Sequence, residues 1–238
     1  MRIALIGYGK MGKIIEKLGL AQGHSFPLII DLNNPGDLNP DSASGIDVAI
    51  EFSIPDSAPG NVMRCIELGI PVVTGTTGWN ERFEEVDAFC RENEGALFRA
   101  SNYSIGVNIL FAMNRKLAGM MKQFPQYTAS MEEVHHVHKM DAPSGTAITL
   151  ARGILESHGA QKSWSLESGE DPMVLHIDAR REGEVNGIHR ITWESDQDRL
   201  TLGHEAGSRE GFAVGALMAA TYLPGKKGVF GMDDLLQL

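Results

Sequence analysis

The sequence predicts an α/β protein in which an N-terminal Rossmann-type parallel sheet domain is followed by a C-terminal α+β substrate domain with a mixed sheet. Three observations point there. Short apolar runs alternate with amphipathic helical segments up to about Asn102, the first run meets a G-x-G-x-x-G loop, and beyond Asn102 a long helix leads into closely spaced strands. Alternating strands and helices build parallel sheets through right-handed crossovers. Strands joined by short polar turns pair with their neighbours instead.

In "RIALIGYGKMG" the run Ile3 to Ile6 is too short for a helix and stops at glycines, which reads as a buried parallel strand; a helix follows over Lys10 to Leu20. "FPLIID", "DVAIEFS", "PVVTGTT" and "ALFRASN" repeat the strand pattern, with helices near 57–68 and 81–92 between them. "SIGVNILFAMNRKLAGMMKQF" is one long helix and "YTASMEEVHH" a strand, and Ser144 caps a helix running to Ser157. "MVLHIDARR", "GIHRITWES" and "DRLTLGHEA" are strands, and a helix from Gly211 to Tyr222 returns the chain. Residues 1–102 and 211–238 therefore form one domain, with 103–210 inserted as the second.

Composition narrows the function classes. With 238 residues the chain can bury a substantial core, and 27 glycines imply many tight turns. A formal charge of −10 without clustered Lys and Arg excludes a nucleic-acid partner. No apolar run approaches membrane-spanning length and no charged-then-apolar leader is present, so no membrane association is expected. Cys65 and Cys90 both fall in helical segments, which suits a reducing cytoplasm.

The loop "GYGKMG" sets Gly7, Gly9 and Gly12 at dinucleotide-binding spacing, with Tyr8, Lys10 and Met11 between them. Gly7 allows the tight turn, Gly9 lets a pyrophosphate approach the backbone, and Gly12 lets helix and strand pack closely. Asp31 ends the second strand 19 residues beyond Gly12, placed to accept hydrogen bonds from the adenosine ribose hydroxyls and to repel a 2′-phosphate. NADH is therefore the expected cofactor, with NADPH use left open by Lys10. The plainer alternative is that Asp31 caps a turn in "DLNNPGD". Gly75, Thr76 and Thr77 end the fourth strand, either leaving room and hydrogen-bonding groups for a ligand or forming an ordinary strand-to-helix loop.

The segment "EEVHHVHKMDAPSGTA" crowds His135, His136, His138 and Lys139 ahead of a helix start. Three readings compete: a metal site, a solvated charged loop, and an anion site with a proton donor. Adjacent His135 and His136 point to opposite faces of a strand and no cysteine lies near, so no metal is expected. The backbone N–H groups of Ser144, Gly145 and Thr146 open a helix and suit a carboxylate. Lys139 adds charge, and a histidine can supply a proton near neutral pH.

"GYGKMG", "GTTG", "ASNYSIGVN", "EEVHHVHKMDAPSGTA" and "GHEAGSREGFAVGAL" together resemble the dihydrodipicolinate (4-hydroxy-tetrahydrodipicolinate) reductases of bacterial lysine and diaminopimelate biosynthesis. The resemblance implies an NAD(P)H-dependent oxidoreductase acting on a small dicarboxylate, usually a homotetramer, with 103–210 as the substrate-binding and oligomerisation domain. It implies that Gly7 to Gly12 and Asp31 hold the adenosine diphosphate, and that Gly75 to Thr77 with Ala100, Ser101, Asn102 and Tyr103 line the nicotinamide. His135 matches the proton donor and Lys139 the catalytic lysine, while His136, Gly145 and Thr146 match substrate-binding groups. Many members carry arginine where this chain has Leu32, which strengthens the NADH reading, and Tyr8 and Lys10 depart from the usual basic or small residues. Two rivals are another amino-acid or sugar dehydrogenase of the same build, and a nicotinamide-sensing regulator without turnover.

Overall fold

The computed structural model describes every residue except Ser168 and Glu170. In chain order the elements are β1 (Arg2–Ile6), α1 (Lys10–Ala21), β2 (Ser25–Ile30), α2 (Pro40–Ala43), β3 (Val48–Glu51), α3 (Ala58–Glu67), β4 (Val72–Thr74), α4 (Phe83–Glu92), β5 (Ala96–Arg99), α5 (Ile105–Met121), β6 (Thr128–His135), α6 (Gly145–His158), β7 (Ser163–Ser165), β8 (Val174–Arg181), β9 (Ile188–Glu194), β10 (Arg199–Glu205), α7 (Glu210–Tyr222), β11 (Gly228–Phe230) and α8 (Met232–Leu236). Short 3-10 turns at Pro35–Asp37 and Asn80–Arg82 complete the set.

Contacts divide the chain into two units, Met1–Ile105 with Glu210–Leu238, and Gly106–Arg209. The first holds a six-stranded, all-parallel sheet in the order β11-β5-β4-β3-β1-β2. Its strands are apolar without alternation because both faces are covered: β3 is buried at all four positions and β1 at its last four. One apolar cluster takes Ile3, Leu5 and Ile50 with α1 and α7, and the other takes Ala4, Ile6 and Ala49 with Val62, Cys65, Val86 and Cys90 of α3 and α4.

The second unit holds a mixed five-stranded sheet in the order β10-β9-β6-β8-β7. β9 is antiparallel to both β10 and β6, while β6, β8 and β7 run parallel. Here the strands alternate: Ala129, Met131, Ile177, Ile191 and Trp193 face a core that also takes Val107, Leu110, Leu150 and Ile154 from α5 and α6. β7, β11, α2 and α8 have no expectation in the sequence, and each has at most five residues.

Candidate active site

In the first unit the glycine loop has the three roles its spacing implies. Gly7 adopts φ +91°, and a Cβ there would lie 2.1 Å from the Phe52 carbonyl oxygen; at Gly12 a Cβ would lie 2.3 Å from the Gly7 oxygen. Gly9, the N-cap of α1, has nothing within 4 Å of where its Cβ would be. The backbone is thus bare and approachable at the point where helix N–H groups lack intrahelical partners, which fits a pyrophosphate. Lys10 is exposed, Met11 packs against the core, and the Tyr8 hydroxyl donates to Glu16 at 2.5 Å. Glu16 thereby raises the Tyr8 pKa, keeping the phenol neutral.

Asp31 lies just past β2, exposed, and Oδ1 accepts from the Leu32 N–H at 2.8 Å. The carboxylate therefore does stabilise the turn, as the plainer alternative holds, with one oxygen; the other has no hydrogen bond or ion pair among the described residues. Leu32 is 78% exposed.

On the expected nicotinamide side, two hydroxyls are engaged within the protein. The Thr76 hydroxyl is spent inside the protein, accepting from the Ser53 N–H at 2.8 Å and donating to Glu51 at 2.9 Å. Tyr103 is not a lining side chain: its ring is buried in the core and its hydroxyl donates to the Thr74 carbonyl at 2.6 Å. The reason is the same in both: each polar group lies at a buried sheet edge and must be paired there. What faces outward is the exposed Thr77 and Ser101, with Gly75, Ala100 and Asn102 half-buried.

In the second unit, Glu133 and His135 are two apart on β6 and share a face. His189 of β9 stands opposite Glu133, and Arg181 of β8 is in register with His135. The result is a buried cluster: His135 Nδ1 is 3.6 Å, His189 Nε2 3.7 Å and Arg181 Nη2 3.3 Å from the Glu133 carboxylate. The Ser144 N–H donates to both Glu133 oxygens at 3.1 Å, and the Ser144 hydroxyl lies 3.1 Å from His189 Nε2. None of Glu133, Arg181 and His189 was singled out by sequence reasoning. Glu133 and Arg181 carried a signal in being charged residues within otherwise core-facing strands; His189 carried none without the strand register.

Burial pushes the Glu133 carboxyl up, but the His189 side chain, the Ser144 hydroxyl and backbone, and the His135 charge outweigh it and hold it at about 2. His135 is lowered as well, which here favours the neutral form. Burial and the neighbouring His189 lower it to about 4, assisted by Lys139 and Arg181, with Glu133 opposing. His135 is therefore neutral at pH 7 in this setting.

Lys139 donates both its contacts to Asp141, at 2.8 and 2.9 Å, and holds the Asp141 carboxyl below its ordinary value. Arg181 clamps this loop, donating to the Lys139 carbonyl at 3.3 Å and also to the Asp141 carbonyl. Ser144 needs correction as a substrate-binding group: its N–H is taken by Glu133 and its Oγ caps Ala147 N–H at 3.1 Å. Gly145 is exposed, and its N–H has no partner among the described residues. Thr146 and His136 are half-buried, and His138 is an exposed partner of Glu184 at 3.1 Å.

Local spacing argued against a metal, yet one ligand atom each from Glu133, His135 and His189 lie within 4.8 Å of one another. Two imidazoles and a carboxylate form a known zinc donor set. Here Glu133 already accepts from Ser144 and pairs with the Arg181 guanidinium, a cation placed where a second would be repelled.

Comparison with known proteins agrees across the whole chain. The family model described as dihydrodipicolinate reductase, N-terminus matches residues 1–103, and that described as dihydrodipicolinate reductase, C-terminus matches 106–236. The chain is 46% identical to a 4-hydroxy-tetrahydrodipicolinate reductase of Christiangramia forsetii, covering 99% of this chain and 98% of that protein. It is 31% identical to that of Neisseria gonorrhoeae, over 94% and 84%. Among solved structures, the dipicolinate-bound dihydrodipicolinate reductase from Paenisporosarcina sp. TG-14 superposes with a TM-score of 0.81, covering 98% of both chains at 21% identity. An amine dehydrogenase from Mycobacterium smegmatis shares the fold more loosely, with a TM-score of 0.61 at 13% identity over 95% of this chain and 94% of that one. With a glycine-loop parallel-sheet unit, a histidine-lysine segment opening a helix, and both family models matched, the chain belongs to the dihydrodipicolinate reductase family.

Proposed function

We propose that this protein reduces 4-hydroxy-tetrahydrodipicolinate to tetrahydrodipicolinate with a reduced pyridine nucleotide, as a step in diaminopimelate and lysine biosynthesis. The observation that supports the reading most directly is that Arg181 links the Glu133 carboxylate beside His135 to the Lys139 loop ahead of α6, on a chain matched end to end by reductase relatives. Replacing the ring hydroxyl by hydrogen requires loss of water, a hydride to one ring carbon and a proton to its neighbour. Bound cofactor supplies the hydride.

The chain's own residues supply the rest. Gly7, Tyr8, Gly9, Lys10, Met11, Gly12 and Asp31 would hold the dinucleotide, with Gly75, Thr77 and the backbone of Ala100 to Asn102 on its nicotinamide side. Asp31 and the uncharged Leu32 favour NADH. Lys139, the Gly145 N–H, Thr146 and His136 receive the substrate carboxylates. A dianion arriving beside His135 reverses the electrostatic balance that keeps its ring neutral, favouring the imidazolium form that then protonates the ring carbon. Lys139 steadies the charge that develops in the transition state.

The exposed apolar residues Ile109, Met113 and Met120 on α5 support burial against further copies, in keeping with a homotetramer. Two buried free cysteines, and the absence among the described residues of a helix able to cross a membrane, accord with a cytoplasmic enzyme. The test is a coupled assay with freshly condensed pyruvate and aspartate semialdehyde, following loss of reduced-cofactor absorbance. Steady consumption that depends on both precursors is the expected result, and consumption with an amino or sugar substrate instead would point to the rival dehydrogenase.

A further inference from the structure

Glu51 ends β3, is fully buried, and takes no part in the steps above. It is in register with Ile6 at the end of β1 on one side and with Thr74 at the end of β4 on the other. Its Oε1 accepts from the Ser53 N–H and the Thr76 hydroxyl, both at 2.9 Å, and from the Ser53 hydroxyl; Oε2 accepts from the Thr74 hydroxyl at 2.5 Å. Amide donors occupy an acceptor site on two of these hydroxyls. Ser53 N–H donates to Thr76 Oγ1 at 2.8 Å and Asn61 Nδ2 donates to Ser53 Oγ at 3.3 Å, so both hydroxyls turn their protons toward Glu51. For Ser53 the competing carbonyl, that of Ile54, is farther away at 3.5 Å. Every contact of this buried carboxyl is thus with a hydroxyl or an amide N–H. Among the described residues no Lys, Arg or His forms an ion pair with it.

Sheet order says what lies above this charge, given the reading that the protein binds a pyridine dinucleotide. β2 and β3 flank β1 on opposite sides, which is the switch point where such a ligand sits. With the pyrophosphate at the start of α1 and the adenosine ribose at Asp31 beyond β2, the nicotinamide half crosses the ends of β3 and β4. We propose that Glu51 is a positioning residue of the nicotinamide side, whose buried negative charge, unanswered by any protein cation, selectively stabilises the oxidised, cationic nicotinamide ring. The reduced ring is neutral and becomes positive only when its hydride, with both electrons of the bond, has passed to the substrate carbon. The charge thus favours the direction of reduction, while the three hydroxyls that solvate it hold the Gly75 to Thr77 loop in place.

The test is to titrate wild type, Glu51→Gln and Thr74→Val with NADH and with NAD⁺ and compare the ratio of the two dissociation constants. Glu51→Gln keeps the shape and loses the charge, so NAD⁺ should weaken about tenfold relative to NADH, the scale of one unit charge acting across a partly buried site. Thr74→Val keeps the charge and removes a dipole that screens it, so the ratio should move the opposite way. Equal changes in both constants, or a shift in the same direction for both variants, would overturn the assignment, since a loosened loop does either. If Glu51→Gln fails to fold, the direction of the Thr74→Val shift decides alone. Wild type that binds neither dinucleotide removes the cofactor reading and this inference together. Wild type that binds both, with variants indifferent in ratio, removes this inference only.

Discussion

His189 stands directly opposite Glu133 in the antiparallel β6–β9 pair, with Nε2 3.7 Å from the Glu133 carboxylate and 3.1 Å from the Ser144 hydroxyl. The strand that carries His135 is thereby tied to the first turn of α6 through one buried acid. Glu133→Gln leaves Arg181 and the Ser144 N–H without an anion between them. Breaking a buried pair in this way costs about 3 kcal/mol, so the urea midpoint should fall well below wild type, and an unchanged midpoint would count against a structural role for the acid.

His135→Gln keeps size and a hydrogen-bonding tip but removes the acid, so turnover should fall about 10² to 10⁴-fold with little change in the substrate Michaelis constant. His138, exposed and paired with Glu184, is outside this scheme, and His138→Gln should be mild. A large loss at His138 with near-normal activity at His135 would reverse the assignment.

The same histidine sets a pH dependence of stability. Its folded pKa, about 4, lies below the ordinary 6.5, so the unfolded chain binds the proton first as pH falls. Stability should therefore be lost between about pH 6.5 and 4, and Glu133, lowered from 4.5 to about 2, adds a further loss below about 4.5. Urea midpoints measured across this range should fall with acid, with a shallower slope in His135→Gln.

Lys139 is already answered by Asp141, so an arriving carboxylate competes with a protein carboxylate. Lys139→Met should raise the Michaelis constant and lower turnover, because ground state and transition state both lose the contact. Asp141→Asn should lower the Michaelis constant for substrate while leaving NADH affinity alone. A raised constant would show that Asp141 positions the lysine rather than masking it.

Glycine variants separate ligand contact from folding. Gly9→Ala meets no protein atom and should melt like wild type yet bind NADH about tenfold more weakly, whereas Gly7→Ala faces both a positive φ and the Phe52 carbonyl and should fail to fold. Cofactor choice is checked by Asp31→Ala, which should weaken NADH more than NADPH and narrow the gap in Michaelis constants.

The sequence made the glycine loop, the Ser144 cap and the strand–helix alternation readable because each is a local signal: a spacing, a side chain that reaches three residues on, a run of buried residues. The Glu133, His189 and Arg181 cluster is not local. It depends on which residue of β9 faces which residue of β6, and no short stretch encodes that register. The direction of the Thr76 and Tyr103 hydroxyls is illegible for a related reason, since a hydroxyl near a sheet edge can turn outward to a ligand or inward to a buried partner, and Glu51 and the Thr74 carbonyl decide which.

The parallel sheet is completed by residues distant in the chain: β11 pairs with β5, α7 contributes Ala213, Ala216, Leu217, Ala219 and Ala220 to the core beneath β1 and β3, and Leu223 just past α7 joins them. Among the described residues, the core of the inserted unit runs from Val107 to Trp193, with Leu202 packed against it, all within that unit. During synthesis on the ribosome the middle of the protein can therefore mature before its beginning. The amino-terminal strands wait with one face covered in part, by α1, and the β5 margin open, a window in which holding chaperones or proteases compete for the nascent polypeptide until α7 emerges.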